Sequence, residues 1–346
     1  MMNSFCQRKM LALLIMLSLL FVSTTESLAI VSINNDEKTA EQQMRIIEKV
    51  APSNSINDDV RETNTELIAD GYSSEITIPK DGDEKIKLND GEGGALEFGL
   101  PENTDGVDGI KTANGTVIYK CNDDVSVGVQ PLTEKAGDEQ IDSVRVLITI
   151  SDITAPHEYS FNFNLKDGER LVTAKEYMGP EYDTGEAYVI NAKGEIESVI
   201  DPAWAKDANG NSVKTHYEVR GNSLIQIVEF NENTAFPVVA DPTAWQITKC
   251  AGAISLLISS TIFTVAKIAK IKKYIKALGG IKKSSSRLIG VIKKAQAIAK
   301  RNRTSTVRVL RSTKFSRELW RGAGATLANF GASVLGVDTV IDKCSF

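Results

Sequence analysis

Residues 236–257 read FPVVADPTAWQITKCAGAISLL, and the pattern of the chain changes inside them. Phe236 to Val239 is the last of a series of short runs that alternate with period two. Beyond it, Trp245 and Ile247 open a helical spacing that continues through the apolar stretch Ala251 to Ala266. Asp241 can cap a helix N-terminus and Pro242 is pre-set for its first turn, so a helix is expected to start there. The boundary sets the expected fold class as α+β: an N-terminal antiparallel β-sandwich, of one or two packed sheets, followed by a separate C-terminal cationic α-helical bundle.

Upstream, residues 70–240 hold the β pattern, punctuated by Asp90-Gly91, Asp167-Gly168, Lys193-Gly194, Asn209-Gly210 and Gly221-Asn222. Short runs at this spacing, with almost no helical periodicity between them, predict antiparallel sheets. The clearest is Tyr159 to Leu165, with aromatic residues on one face and polar residues on the other. Residues 30–69 are polar, with one helical stretch, Glu37 to Val50, whose Ile46, Ile47 and Val50 make a thin apolar stripe. They are expected to form a mobile leader or pro-segment outside the β domain.

Downstream, residues 241–346 form the expected tail. Ile268, Ile271, Tyr274, Ile275 and Leu278 fall within about 120° of one helix face, opposite Lys270, Lys272, Lys273 and Lys276, and Gly279-Gly280 ends the pattern. A second helix is predicted from Leu288 to about Arg301, with Lys293 and Lys294 on its polar side. Asn302 to Lys314 reads as a short helix or a strand. Gly322 to Ile341 is apolar and rich in glycine and alanine, which allows close helix approach.

Charge divides at the same boundary. The segment from Asp241 onward carries 13 Lys and 7 Arg against four carboxylates, a net of +16, so the remainder must carry −21 of the overall −5. An acidic body joined to a cationic apolar tail points to an anionic partner, or to one half neutralising the other.

The N-terminus reads as an export signal over residues 1–29. Arg8 and Lys9 precede the apolar run Met10 to Val22, and Ser27-Leu28-Ala29 offers a cleavage site that would leave Ile30 as the first mature residue. That run is short of the roughly 20 residues needed to span a bilayer, and a retained signal anchor is the alternative. Cys6 precedes the apolar run and would leave with the signal. Of the remaining cysteines, Cys250 and Cys344 bracket the tail, and in an oxidising compartment a bridge between them would close it into a loop. Cys121 would then be a free, buried thiol.

Chemistry-bearing motifs are sparse, and no cofactor is expected. His157 and His216 are the two histidines, and neither sits in a nucleophile or zinc motif. Glu181, Asp183 and Glu186 could meet in space as acid/base carboxylates, or form a solvated acidic surface. Asp207 to Glu218 opens like a calcium loop, but the sixth position is Ser212 where the motif needs glycine, and Asn209-Gly210 between strands is a hairpin signal.

The block DANGNSVKTHYE (Asp207 to Glu218), with Gly221 to Gln226 and Phe236 to Pro242, resembles a group of secreted proteins of Gram-positive bacteria, largely actinobacterial. Those chains are similar in continuing with a Cys-bearing apolar helix, a Lys-rich helix ending near Leu-Gly-Gly, and a C-terminal Cys. Cys250, Tyr274 to Gly280 and Cys344 match here. The likeness runs from about His157 onward and implies secretion without implying an activity; Lys300 to Arg321 is more basic than the group's pattern.

The expectation is therefore a secreted, non-enzymatic protein, possessing no cofactor, whose tail meets an anionic membrane or cell-wall polymer. Nucleic acid is disfavoured by the scarcity of aromatics for base stacking. The contact set is Lys267, Lys270, Lys272, Lys273, Lys276, Lys282, Lys283, Lys293 and Lys294, with Ile268, Ile271, Ile275 and Leu278 entering the headgroup boundary. The role expected first for the tail is a bacteriocin-like or pore-forming element shielded by the acidic β domain; the alternatives are an anchor to the wall or membrane surface for an extracellular binding module, and a bundle whose apolar stripes are its own core, docked on the β domain as its intramolecular partner.

Overall fold

The computed structural model describes residues 36–346 apart from 90–94, 137–138, 247–248, 260–262, 336 and 344–346. The expected export signal, with Cys6 and Ile30, and the C-terminal Cys344 lie outside the described residues. Within them the chain is α+β: one helix precedes a series of antiparallel sheets, and a helical region follows from Lys249.

Helix α1 (36–50) comes first, and Ala40, Met44, Ile47 and Val50 are buried at helical spacing. Strands β1 (Val60–Glu62), β2 (Glu66–Asp70), β3 (Glu75–Pro79), β4 (Lys85–Asn89) and β5 (Ala95–Gly99) then form one antiparallel meander in that spatial order. Here the expectation for residues 30–69 needs correction. α1 packs its stripe on Ile118, Leu147 and Val239, and β1 and β2 belong to the sheet, so 36–70 is part of the folded body. Ala40 and Met44 complete a stripe that looked thin when only the branched residues were counted.

Next come β6 (Ile110–Lys111), β7 (Val117–Lys120), β8 (Val125–Ala136), β9 (Glu139–Ile150), β10 (Glu158–Asn162), β11 (Arg170–Thr173), the short helix α2 (Ala174–Met178), β12 (Ala187–Ile190) and β13 (Ile196–Ile200). They are followed by β14 (Trp204–Lys206), β15 (Lys214–Arg220), β16 (Ser223–Glu229), β17 (Val238–Asp241) and β18 (Thr243–Gln246). The largest sheet runs β11-β12-β13-β18-β9-β8-β7-β6, with β17 also on β9 and β14 on β17, while β10-β16-β15 make a third sheet. The Asp207 loop is a turn: its carboxylate accepts the backbone N–H of Asn209 and Asn211 at 2.9 and 2.8 Å, and Glu218 faces Arg220 instead.

The large sheet is buried on both faces, as alternation along β12 makes plain. Ala187 and Val189 join a core shared with the other two sheets, which includes Phe98, Phe161 and Phe163, while Tyr188 and Ile190 point the opposite way, into the helical region.

The helices are α3 (Lys249–Ser259), α4 (Val265–Leu278), α5 (Ile281–Arg301), α6 (Thr306–Arg311), α7 (Thr313–Leu319), α8 (Gly324–Val334) and α9 (Asp338–Lys343). Four expectations change. The helix does not start at Asp241-Pro242: β17 and β18 pair in succession along β9, and Pro242, which has no N–H to give, lies between them while its carbonyl accepts Val146 N–H at 3.0 Å. The first long helix is also two helices, because Thr264 caps α4 by accepting Lys267 N–H at 3.3 Å.

α5, in turn, begins seven residues before Leu288. Ser284, Ser285 and Ser286 are buried and return their hydroxyls to the carbonyls of Gly280, Ile281 and Lys282. Gly322 to Ile341, read as one apolar segment, is likewise divided: α8 packs on α4, and α9 on α3. Gly279, at φ 90°, ends α4 as expected.

Nor is the helical region separate. Tyr188, Ile190, Ile196, Val199 and Trp245 of the sheet share one buried cluster with Ile254, Ile271, Ile275, Leu288, Ile292 and Phe330 of the helices. A sheet with apolar residues on both faces must be covered on both, and the helices cover the second.

Candidate functional site

The contact residues expected on the tail separate into an enclosed apolar set and a set of cations. Ile271, Ile275 and Leu278 are buried against the body, and Ile268 is half-buried. Lys270, Lys273, Lys276 and Lys283 have exposed positions, while Lys267, Lys272, Lys282, Lys293 and Lys294 are half-buried. Several ammonium groups are already engaged. Lys267 lies 3.6 Å from the centre of the Phe263 ring, Lys272 donates to Met178 O at 3.0 Å, Lys276 to Glu181 O at 2.9 Å, and Lys294 to Arg321 O at 3.0 Å. Burial works against the charge on Lys272 and lowers its pKa.

Cys250 is fully buried and disulfide-bonded, whereas Cys121 is a free thiol. Burial pushes the Cys121 thiol up to about 12, which keeps it protonated and unreactive at neutral pH.

Where α5 enters the sheet, four carboxylates from four places in the β body gather around its first turn. Glu186 starts just ahead of β12, Asp201 follows β13, Asp241 ends β17 and Glu134 lies on β8. Lys282 reaches between two of them, 2.8 Å from Glu134 Oε2 and 3.0 Å from Asp201 Oδ2, and its Nζ lies 5.6 Å from the Trp245 ring centre. Trp245 Nε1 donates to the other Asp201 oxygen at 3.0 Å. Burial opposes the Lys282 charge, but Asp201 and Glu134 outweigh it and hold the ammonium above its ordinary pKa.

Glu186 and Asp241 are almost wholly enclosed, at 1% and 2% exposure. Glu186 accepts from Tyr188 OH at 2.7 Å, Thr184 Oγ1 at 2.8 Å and Ile281 N–H at 3.1 Å. Asp241 accepts from Trp204 Nε1 at 2.7 Å and Thr243 Oγ1 at 2.9 Å. Burial pushes both carboxyls up to about 7, against the hydrogen bonds that favour the charged form. Arg145 supplies a second cation, donating to Gln130 Oε1 and, at 3.2 Å, to Ala51 O beyond α1.

These groups line a half-open cleft of about 620 Å³, with Leu132, Pro202 and Trp204 on its walls and Lys283 and Arg287 on its helical side. Its size suits a small ligand, and carboxyls with shifted pKa in a cleft mark a candidate site. Of the carboxylates considered from sequence as acid/base groups, only Glu186 is in it. Asp183 instead accepts Gly185 N–H at 2.9 Å within its own turn. Glu134, Asp201, Asp241, Arg145 and Arg287 were missed, because they converge from strands and a helix far apart in the chain with no shared motif.

Among the described residues, no group of three or more His, Cys, Asp or Glu side chains is placed to hold a metal ion, and no helix is long and apolar enough to cross a membrane. No protein-family model matches the chain, and no curated protein matches it.

Proposed function

We propose that this is an exported, non-enzymatic binding protein of the kind it resembles among secreted Gram-positive proteins, and that its cationic helical region adsorbs to anionic polymers or lipid of the cell envelope. The acidic body, with its sheets packed as a sandwich, would be the part held at that surface. One observation carries the proposal: the apolar sides of α4 and α5 are enclosed against the sheet, while Lys270, Lys273, Lys300, Arg308, Arg317 and Arg321 have exposed positions. Burying each large aliphatic side chain contributes about 1.5–3 kcal/mol. Exposing the whole set to reach acyl chains would therefore cost far more than a surface ion pair returns. Contact by the outer cations leaves the core intact.

The test uses the full mature chain. It should sediment with vesicles rich in phosphatidylglycerol at low salt and be released near 1 M salt, where the Debye length is about 3 Å. Replacing Lys300, Arg308 and Arg317 together by Ala should weaken adsorption without changing the fold. Absence of low-salt adsorption would defeat the proposal.

Undocked, the same helices would be membrane-active in the manner of a bacteriocin, and the lysine/isoleucine division of α4 favours this second role. Its signature is leakage of entrapped dye together with loss of the sheet–helix contacts. Adsorption without leakage assigns the surface-binding role.

A further inference from the structure

The exposed cations of the outer helices account for adsorption, but not for the cleft. Lys283 and Arg287 are four residues apart on α5, both exposed, and both line it. Among the described residues neither has a carboxylate within ion-pair distance, although four carboxylates border the same cleft. Those acids are engaged elsewhere: Asp201 and Glu134 hold Lys282, and Asp241 and Glu186 are enclosed with their own donors.

The cleft is thus bordered by these two cations and by carboxylate side chains still partly open to solvent, with side-chain exposures of 35% for Glu134 and 28% for Asp201. The Trp204 indole is tied by its N–H to Asp241 and half-buried, and exposed Pro202 is close to it in the chain and on the same cleft. A bare anion would be repelled by the carboxylates, and a bare cation by Lys283 and Arg287. A ligand that carries an anion at one end and hydroxyl donors at the other meets both. Guanidinium and ammonium groups bind phosphate through charge-assisted hydrogen bonds, carboxylates accept from hydroxyls, and an aromatic wall takes the apolar face of a sugar ring.

We propose that the cleft between Lys283 and Arg287 on α5 and Glu134, Asp201 and Trp204 of the β body binds a phosphorylated sugar unit. The phosphate sits on Lys283 and Arg287, the ring hydroxyls donate to Glu134 and Asp201, and the ring lies against Trp204 and Pro202. The site is complete only while the helices are docked, since each part supplies one side of it. It is distinct from the outer cationic surface and stands whether or not that surface adsorbs to envelopes.

Three probes test it in calorimetric titrations of the full mature chain: glucose 6-phosphate, glucose and inorganic phosphate. Glucose 6-phosphate should bind at least about tenfold more tightly than either of the others, a difference of about 1.4 kcal/mol. It should also change the tryptophan fluorescence of a variant with Trp320 replaced by Phe, whose remaining indoles, Trp204 and Trp245, donate to Asp241 and Asp201 of the cleft. K283A/R287A, at two exposed positions that keep the fold, should lose that tenfold preference. The adsorption variant at Lys300, Arg308 and Arg317 should retain it, so failure of one assignment is told apart from failure of the other. Inorganic phosphate binding as tightly as glucose 6-phosphate, undiminished binding by K283A/R287A, or no heat from any probe would each overturn the proposal. A phosphorylated oligosaccharide presents the same unit as a polymer; if it binds more tightly than the monosaccharide the source is a polymer, and if equally, a free sugar phosphate, and both results support the site.

Discussion

The carboxylate of Glu186 caps helix α5 from the sheet: its two oxygens lie 3.1 and 3.3 Å from the backbone nitrogen of Ile281, the first residue of that helix. A 21-residue helix presents unpaired N–H groups and a partial positive charge at its start, and Gly280 offers no capping side chain. The chain also passes tightly here, since a Cβ on Gly280 would fall on the Glu186 carboxylate. The cap is supplied by a residue 95 positions away, so it forms only when the helical region is docked.

Proton linkage at this junction has a definite sign. Glu186 and Asp241 have folded pKa values raised to about 7 by burial, well above ordinary carboxyls. Raised carboxyls bind more protons when folded, so their contribution is fully present below the unfolded values near pH 4 and is lost as pH rises through about 7. Denaturant unfolding should show E186Q and D241N with a flatter fall in stability from about pH 5 to about pH 8 than the parent chain, each slope reduced by up to about 1.4 kcal/mol per pH unit. Parallel curves for variant and parent would rule out the assignment.

The shared core predicts how damage to a helix is felt. Ile275 is fully buried in the cluster that contains Trp245 of β18. Ile275→Ala should cost about 2–5 kcal/mol. It should lower the midpoint read from Trp245 fluorescence, in a chain whose Trp204 and Trp320 are replaced by Phe, together with the midpoint read from helical circular dichroism. A Trp245 transition that stays put while the helical signal moves would mean two independent units.

Strand positions were legible in the sequence because period-two alternation and turn residues are local signals, and Tyr159, Phe161 and Phe163 face the core as their alternation requires. Helix limits were less legible for reasons that are tertiary. Asp241-Pro242 is a sound helix start by local rules, yet β9 offered pairing to both sides of it, and the Asp241 side chain serves Trp204 and Thr243 instead of a helix end. The start of α5 at Ile281 was not read from sequence, because polar Ser284, Ser285 and Ser286 break the apolar periodicity although all three are buried. The cleft was not legible at all, because nothing in the spacing of Glu134, Asp201 and Lys282 foretells that they meet.

Two glycines in the helices should respond oppositely to alanine. Gly331 of α8 is buried with the Trp320 ring where a Cβ would go, so Gly331→Ala should destabilise by about 1–3 kcal/mol through overpacking. Gly290, inside α5, has open space at the same position, and Gly290→Ala should stabilise by about 0.5–1 kcal/mol. Thermal melts of the two variants settle the matter, and equal shifts would contradict the packing at Trp320.

Cysteine chemistry gives a prediction independent of any activity. Cys250 is disulfide-bonded at the start of α3, and Cys121 is free with its thiol pKa pushed up to about 12 by burial. The expected partner of Cys250 is Cys344, which would tie residue 344 to α3, beside which α9 already packs. In the chain-entropy account, a loop of about 100 residues is stabilised by about 4.7 kcal/mol, an upper figure for what reduction removes. Peptide mapping of the mature protein without reductant should recover Cys250 and Cys344 in one linked species. A thiol reagent should label Cys121 slowly in the folded chain and fully after unfolding. C344S should lower the stability of the chain and leave a second thiol, Cys250, that the reagent labels fully only after unfolding. Recovery of Cys344 as a free thiol from the native protein would refute the pairing.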